Sequence, residues 1–217
     1  MTNPIDGKTV VATVERVAAR MQALRDELTR LDAAVGDGDL GITASKGASA
    51  VLDYMEANDP GDDLGKFLAG MGMAFNRAAP GTMGTLIATA LMRAGKVARG
   101  EASLDPSILA QMLEAADVGI QERGKAKPGD KTVIDALHPA AEAFSDALER
   151  GENLEAAGDA MLQAAREGRD AIVPLRSQVG RASWVGERTE NQPDPGAVLC
   201  VEMLEVIVDP GSSTDDA

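Results

Sequence analysis

Aromatic side chains make up only 2% of the 217-residue sequence, so a buried core must be assembled from aliphatic residues, alanine and the ten methionines. This composition favours close-packed helices, because sheets are enriched in aromatic and β-branched residues. Apolar runs long enough to cross a bilayer are also lacking. We therefore expect an all-α protein with a single helical domain at residues 1–208 and a flexible acidic tail at residues 209–217.

Thiol and imidazole groups are limited to one each. Cys200, the only cysteine, excludes an intrachain disulfide and, with an N-terminus that lacks a secretory signal pattern, predicts a cytoplasmic protein. His138, the only histidine, excludes three-histidine zinc sites and leaves no Ser-His or Cys-His arrangement for nucleophilic catalysis. Both residues fall in apolar helical patterns and are interpreted as packing residues. Any proton transfer must then use a carboxylate, the substrate or another chain.

Basic residues are scarce, since 21 Lys and Arg stand against 35 Asp and Glu, for a formal charge of -14. Nucleic-acid grooves and anionic membrane surfaces both require clustered Lys and Arg. We therefore expect neither nucleic acid nor membrane as a partner. An anionic ligand would need favourable charge supplied locally at its binding site.

Apolar residues recur at intervals of three and four along eight segments, which predicts eight helices with short connections and antiparallel neighbours. Asp105, Asn153 and Asp194 are predicted N-caps, and Pro139 is predicted to kink its helix. Residues 197–208 also suit a buried strand, because they are rich in Val and Ile. The predicted helices cover approximately residues 9–29, 40–55, 64–75, 82–97, 106–116, 132–149, 154–164 and 195–207.

The stretch LDAAVGDGDLG, residues 31–41, sets Asp32, Asp37 and Asp39 among three glycines. Like charges this close must be separated by solvent or neutralised by a cation. Carboxylate oxygens suit Mg²⁺, which commonly binds few protein groups together with substrate phosphates. The segment leads into a helix N-terminus at about residue 40, whose free amides attract phosphate. An acidic turn that only caps the helix is the alternative.

Three other loops carry candidate ligand-binding patterns. PGTMGT, residues 80–85, is a glycine-rich helix start that either presents amides to an anion or only turns the chain. RGKAKPGDKT, residues 123–132, gathers four basic residues that suit a nucleotide, an acidic partner or solvent alone. The long loop 180–196 contains the only tryptophan, Trp184, and is either functional or held in place by Trp184 packing.

Together, LDAAVGDGDLG, GTMGTL, RGKAKPGDKTVIDAL and GRASWVGERTENQPDPGA resemble the nucleotide-binding L subunit of the dihydroxyacetone kinase family, in order and spacing, from about residue 10 to 208. The resemblance implies an antiparallel eight-helix barrel. ADP or ATP would sit at one end of the barrel. Its phosphates would be bound through Mg²⁺ ions, of which two are expected, and three aspartates would hold these ions.

The resemblance also implies partners. A separate K subunit would bind the small ketose covalently, so this chain is expected to be inactive alone. The phosphoryl donor is either free ATP or bound ADP that a phosphotransferase-system M subunit rephosphorylates. A homodimer is left open.

By position, the resemblance assigns the metal-binding and catalytic roles to Asp32, Asp37 and Asp39. Leu40 and Met83 stand where the family usually has His and Ser, which leaves more of the phosphate binding to backbone amides and metal. The residues implied to bind the nucleotide are Leu40, Gly41, Ile42, Thr43, Thr82, Met83, Gly84, Gly124, Val133, Arg181, Asp194, Pro195 and Gly196.

These features predict the Mg-nucleotide subunit of a two-component kinase for a three- or four-carbon hydroxyketone. Charge neutralisation by metal and positioning by two helix starts would supply most of the catalysis. The alternative is a nucleotide-holding regulatory module that acts on a partner protein and turns over nothing; Leu40 and Met83 motivate it. The nucleotide domain of a fatty-acid kinase is disfavoured, because this chain ends where that family continues into further domains.

Overall fold

Helices account for most of the chain in a computed structural model that describes residues 4–209. The all-α prediction is confirmed, since the only strands in this range are β1 (Ile5–Asp6) and β2 (Ser103–Leu104), which pair antiparallel. The predicted tail lies outside the described residues except for its first residue. The helices are α1 (Gly7–Ala23), α2 (Arg25–Val35), α3 (Leu40–Ala57), α4 (Leu64–Ala78), α5 (Thr82–Val97), α6 (Pro106–Gly124), α7 (Ile134–Glu149), α8 (Leu154–Ala171), the 3₁₀ segment (Arg181–Thr189) and α9 (Pro195–Val208).

The helices form a closed antiparallel barrel, as predicted. From α3 onward, each α-helix packs against the next α-helix in the chain, α1 and α2 both pack against α3, and the ring closes because α9 packs against α1. One cavity is lined by the C-terminal ends of α2 and α6 and by the starts of α3, α5, α7 and α9. This arrangement shows that successive helices alternate in direction. No helix within residues 4–209 is long and apolar enough to span a membrane.

The prediction of one helix over residues 9–29 is wrong, because two helices, α1 and α2, meet at Leu24. A ψ of 0° at Leu24 turns the chain, while the Leu28 amide still donates to the Leu24 carbonyl over 2.9 Å. The bend lets α1 pack against α3 and α9 while α2 packs against α3 and the 3₁₀ segment. The described residues therefore contain nine α-helices rather than eight.

Other helix boundaries follow the predicted signals. The side chains of Asp105, Asn153 and Asp194 accept hydrogen bonds from amides three residues on, at 2.9, 2.8 and 2.7 Å. Residues 197–208 are helical rather than a strand, because α9 is enclosed between α1, α7 and α8 as one wall of the barrel. Helix α7 continues through Pro139 without a break, and the predicted kink there stays a prediction.

The single cysteine and the single histidine both lie in the packed interior or its edge, away from the cavity lining. Cys200 is 3% exposed, and burial raises the pKa of its thiol to about 12. His138 Nδ1 lies 2.8 Å from Oδ2 of the buried Asp117, which joins α7 to α6. The side-chain amide of Gln121 donates to the same Asp117 oxygen over 2.8 Å.

Helices α4 and α5 approach each other closely because glycines face each other. A Cβ at Gly65 would overlap the Gly95 carbonyl oxygen and the backbone near Ala98, and a Cβ at Gly95 would lie 2.6 Å from the Gly65 oxygen. The Gly65 amide also donates to the Ala98 carbonyl over 3.1 Å. A side chain at this contact would push the two helices apart.

We therefore expect Gly65→Ala to lower the free energy of unfolding by about 2 kcal/mol or more, because overpacking against rigid backbone outweighs the helix propensity gained by alanine. Urea denaturation measures the change. Gly124→Ala is the matched control, since a Cβ there would lie an ordinary 3.5 Å from Leu86. Equal stabilities for the two variants would show that the α4–α5 contact is not tight.

Candidate metal centre and adjoining cavity

Three carboxylates converge where α2 ends and α3 begins. Asp32 lies in the last turn of α2, Asp37 in the connection, and Asp39 immediately before α3. One ligand atom from each lies within 4.8 Å of the others. Among the described residues, no other group of three or more His, Cys, Asp or Glu side chains has this geometry. Carboxylate oxygens in this number suit a hard divalent cation such as Mg²⁺.

A close contact between α2 and α3 produces this convergence. A Cβ at Gly41 would overlap the Arg25 carbonyl oxygen and the Thr29 hydroxyl, so only glycine lets α3 begin this close to α2. The Leu40 amide then donates to Asp32 Oδ2 over 3.1 Å. This bond orients the Asp32 carboxylate toward the start of α3.

The clustered charges perturb one another. Desolvation, and then the negative charge of Asp32, raise the pKa of Asp39 above its usual value. The Arg181 guanidinium, from the 3₁₀ segment, contacts the Asp37 carboxylate and lies 3.7 Å from Asp39. Because the side chains of this group are about half exposed, the ion pair is a weak one. A divalent cation would neutralise the cluster more completely.

A cavity of about 210 Å³ opens beside the aspartates. Its exposed lining carries Asp37, Asp39 and Arg181, whereas the buried side chains of Leu86 and Ile120 give it an apolar wall. A charged opening next to an apolar wall fits a ligand that is anionic at one end and apolar at the other.

Three helix starts at the cavity, those of α3, α5 and α7, have an N-cap residue whose side chain accepts no hydrogen bond from the first turn. The N-cap residues of α3 and α5 are Asp39 and Gly81. By contrast, α1, α4, α6, α8 and α9 each begin with a capping Asp or Asn. First-turn amides without such a partner carry partial positive charge and can bind an anion.

Most of the residues predicted for the site line this one cavity. Three of them do not. Gly41 is buried against α2, Gly84 is buried against the Ala79 carbonyl, and Ile42 is 39% exposed but is not part of the cavity lining. The predicted residues that the fold brings together are Asp32, Asp37, Asp39, Leu40, Thr43, Thr82, Met83, Gly124, Val133, Arg181, Asp194, Pro195 and Gly196.

The structure bears on two alternatives that the sequence left open. The Asp39 side chain precedes α3 but does not cap it. The Asp32 carboxylate instead accepts from the Leu40 amide, the first amide of α3. Convergence of the carboxylates and capping of the helix therefore occur together. Trp184 is 86% exposed, so its packing does not hold the loop 180–196 in place.

Lys131 fixes that loop instead. Its side chain is 2% exposed, and Nζ donates to the carbonyls of Val173, Leu175 and Thr189 at 2.8, 2.9 and 2.6 Å. Burial lowers the pKa of Lys131, while the three carbonyl oxygens compensate for the lost water. Of the basic residues in 123–132, this one therefore has a structural role that its sequence context did not reveal.

Asp194 caps α9 and also lines the cavity. Burial raises the pKa of Asp194 to about 7. The hydrogen bond from the Ala197 amide opposes this shift, the negative charge of Asp135 adds to it, and the Lys131 ammonium opposes it. The carboxyl group therefore titrates near neutral pH.

Sequence reasoning missed the apolar wall. Leu86 follows Met83 by one helical turn, and Ile120 precedes Gly124 by one turn, so helix periodicity could have placed both on the site face. Val179 and the other loop residues had no comparable signal. The lining residues that were not predicted are Val35, Gly36, Leu86, Ile120, Ala126, Lys131, Thr132, Ile134, Val179, Gly180 and Ala182.

A family model described as the DAK2 domain matches residues 34–209. The chain belongs to the DAK2 domain family. The matched range includes Asp37, Asp39 and every residue predicted to bind nucleotide, whereas Asp32 lies two positions before it. The resemblance to the dihydroxyacetone kinase L subunit is thereby confirmed.

Named relatives differ in length. The ADP-binding subunit DhaL of the PEP-dependent dihydroxyacetone kinase of Escherichia coli is 32% identical over 180 residues, which cover 83% of this chain and 85% of that subunit. The L-erythrulose kinase of Pectobacterium atrosepticum is 33% identical over 210 residues, which cover 90% of this chain but 35% of that kinase. This DAK2 chain therefore spans most of a separate subunit and about a third of a longer kinase.

A solved structure shares the fold. The dihydroxyacetone kinase of C. freundii matches 96% of this DAK2 chain with a TM-score of 0.71 at 28% identity, and the match covers 35% of that kinase. Its complex with AMP-PNP and Mg²⁺ matches with a TM-score of 0.67 at 27% identity, over the same shares of the two chains.

Asp194→Asn should remove a pH dependence of stability. Because folding raises the pKa of Asp194, the folded protein holds a proton that the unfolded chain releases, and this stabilisation is lost as pH rises through about 7. We expect the free energy of unfolding of the wild type, relative to the variant, to fall by about 2 kcal/mol between roughly pH 5 and 8. Urea denaturation at several pH values measures it.

Asparagine keeps the N-cap of α9, so the variant isolates the ionisation from the loss of the cap. A difference between the two proteins that stays constant with pH would contradict the raised pKa.

Proposed function

We propose that this chain is the Mg²⁺-nucleotide subunit of a two-component kinase, which transfers a phosphoryl group to a small hydroxyketone bound on a separate subunit. The convergence of Asp32, Asp37 and Asp39 beside a cavity that the starts of α3 and α5 also line carries the proposal. Membership of the DAK2 family, and relatives named as dihydroxyacetone and L-erythrulose kinases, support a triose or tetrulose acceptor. In this proposal residues 1–208 form one nucleotide-binding unit in the cytoplasm.

Mg²⁺ fits the aspartate cluster in number and type of ligand. The three ligand atoms lie within 4.8 Å of one another, whereas oxygens on opposite sides of one Mg²⁺ lie about 4.2 Å apart. A small inward movement of the half-exposed Asp37 and Asp39 side chains would close the site on one ion. Their free oxygens could also bind a second ion together with phosphate oxygens, and we propose two.

The nucleotide would lie with its phosphates at the starts of α3 and α5 and its base against the apolar wall. The first-turn amides of Gly41 and Ile42 would serve the phosphates, although their side chains do not line the cavity. Leu86 and Ile120 would contact the base. The complex of the C. freundii kinase with AMP-PNP and Mg²⁺ supports this class of ligand.

Catalysis would consist mainly of charge neutralisation and positioning. Mg²⁺, when bound, supplies neutralisation of the phosphoryl oxygens. The aspartates fix its place, and the helix starts hold the phosphates in line with the opening of the cavity. No histidine lines the cavity within the described residues, so the proton of the acceptor hydroxyl must pass to a carboxylate, to the substrate or to a group on the partner.

The acceptor is proposed to arrive on a K-type subunit. The E. coli relative is named as one subunit of its kinase, and this chain covers only 35% of the L-erythrulose kinase, which leaves room in that kinase for a ketose-binding part. The PEP dependence in the name of the E. coli relative supports donation through bound ADP and an M subunit. Free ATP is the alternative donor.

A second candidate is a nucleotide-holding regulatory module. Leu40 is 4% exposed, and the partly buried Met83 packs against the hydrophobic core. The positions where the family usually has His and Ser are therefore occupied here by packing side chains. Such a site could hold a nucleotide with little turnover.

Asp37→Asn should weaken Mg²⁺-dependent ADP binding by at least about tenfold, because one of three anionic ligands is lost while the fold is kept. Isothermal titration calorimetry with ADP and MgCl₂ measures the affinity, and circular dichroism checks the helix content. Asp59→Asn is the matched control, since Asp59 lies at the other end of the barrel, in the connection after α3. Undiminished binding by the Asp37 variant would count against the aspartate site.

Turnover distinguishes the two candidate functions. Mixed with a K-type subunit and either dihydroxyacetone or erythrulose, the chain should produce the ketose phosphate from ATP, or from PEP when an M subunit and the other phosphotransferase components are present. Mass spectrometry of the product measures it, with each subunit alone as the control. Tight nucleotide binding without product from any of these mixtures would favour the regulatory module.

A further inference from the structure

A short strap crosses the aspartate cluster. We define the strap as residues 181–185, between Gly180 and Gly186. Its Arg181 guanidinium contacts Asp37 and lies 3.7 Å from Asp39, and these are the strap's only ion pairs within residues 4–209. The contact is solvent-accessible, with 55% exposure for the Arg181 side chain and 45% for that of Asp37.

The chain is fixed on both sides of the strap. Before it, the Gln178 amide donates to the Asp130 carbonyl over 3.0 Å. After it, the Thr189 carbonyl accepts from the buried Lys131 ammonium over 2.6 Å, and the Thr189 hydroxyl accepts from the Ser177 amide over 3.0 Å. Movement between these fixed points is therefore limited to residues 179–188, which include the strap.

The two residues that bound the strap have unusual backbone angles. Gly180 has φ 69° and ψ -165°, and Gly186 has φ 59° and ψ -121°, conformations that side chains disfavour. A Cβ at either position would meet nothing within 4 Å. Glycine is thus required by the backbone angles rather than by crowding.

We infer that Arg181 competes with the divalent cation for the Asp37 carboxylate, so that cation binding displaces the strap and releases Arg181 toward the phosphates of the nucleotide. The inference rests on the proposed function, which assigns Asp37 to Mg²⁺. A carboxylate oxygen that completes the coordination of Mg²⁺ is no longer free for the guanidinium. Because the Arg181–Asp37 pair is exposed and weak, a doubly charged ion can replace it.

Trp184 reports the position of the strap directly, because it is the only tryptophan, lies on the strap and is 86% exposed. The full chain is titrated with MgCl₂ in the absence of nucleotide. Trp184 emission and its quenching by acrylamide are followed, and calorimetry gives the affinity for Mg²⁺. We expect both optical signals to change with the same midpoint as the calorimetric titration, and not to change with NaCl of equal ionic strength.

Arg181→Gln should bind Mg²⁺ about 2- to 5-fold more tightly, because the competing cation is removed. Its Trp184 signal should no longer respond to Mg²⁺. Arg188→Gln is the matched control, since it removes a positive charge from the same loop, and within residues 4–209 the Arg188 side chain bonds only the Ala34 carbonyl, over 3.5 Å. Its affinity for Mg²⁺ and its optical response should match the wild type.

Two results would overturn the inference. One is a wild-type Trp184 signal that does not respond to Mg²⁺. The other is an equal gain in Mg²⁺ affinity for the Arg181 and Arg188 variants, which would reveal a general charge effect rather than competition. Failure of the proposed function has a different signature, namely Mg²⁺-dependent ADP binding that survives in Asp37→Asn.

Discussion

At Gly41 the start of α3 lies so close to α2 that any side chain would overlap the Arg25 carbonyl, and the geometry of the aspartates follows from this contact. The approach brings the Leu40 amide to the Asp32 carboxylate and sets Asp39 beside it. Packing therefore holds three negatively charged side chains close together although they repel one another. The electrostatic cost is met only in part by a half-exposed Arg181, so the cluster favours any cation of higher charge.

Alternation of helix direction explains how an acidic chain can attract a polyanion. With a formal charge of -14, the protein as a whole repels phosphates. The barrel, however, collects the starts of α3, α5, α7 and α9 around one cavity, where first-turn amides have partial positive charge. Since salt screens distant charges beyond about 8 Å, the local amides and a bound cation outweigh the remote carboxylates.

The sequence predicted the elements with strong local signals and missed those that depend on tertiary contacts. Apolar periodicity and the caps at Asp105, Asn153 and Asp194 located the helices, because both are properties of neighbouring residues. The bend at Leu24 escaped prediction, since it arises from packing α1 and α2 against different partners. Lys131 escaped as well, because its three carbonyl partners lie more than 40 positions away in the chain. Aspartates separated by a few residues could be grouped from the sequence, whereas the apolar wall joins residues from two helices, α5 and α6.

Because Cys200 is buried, its thiol can serve as a chemical probe of opening of the barrel. Its thiol is 3% exposed and has a pKa near 12, so it is almost wholly protonated and shielded from electrophiles while α9 stays in place. Because Cys200 is the only cysteine, its thiol can be alkylated only in molecules in which α9 has separated from the rest of the barrel. The rate of iodoacetamide incorporation therefore counts open molecules directly, and a ligand that clamps the barrel shut would slow labelling without any engineered reporter.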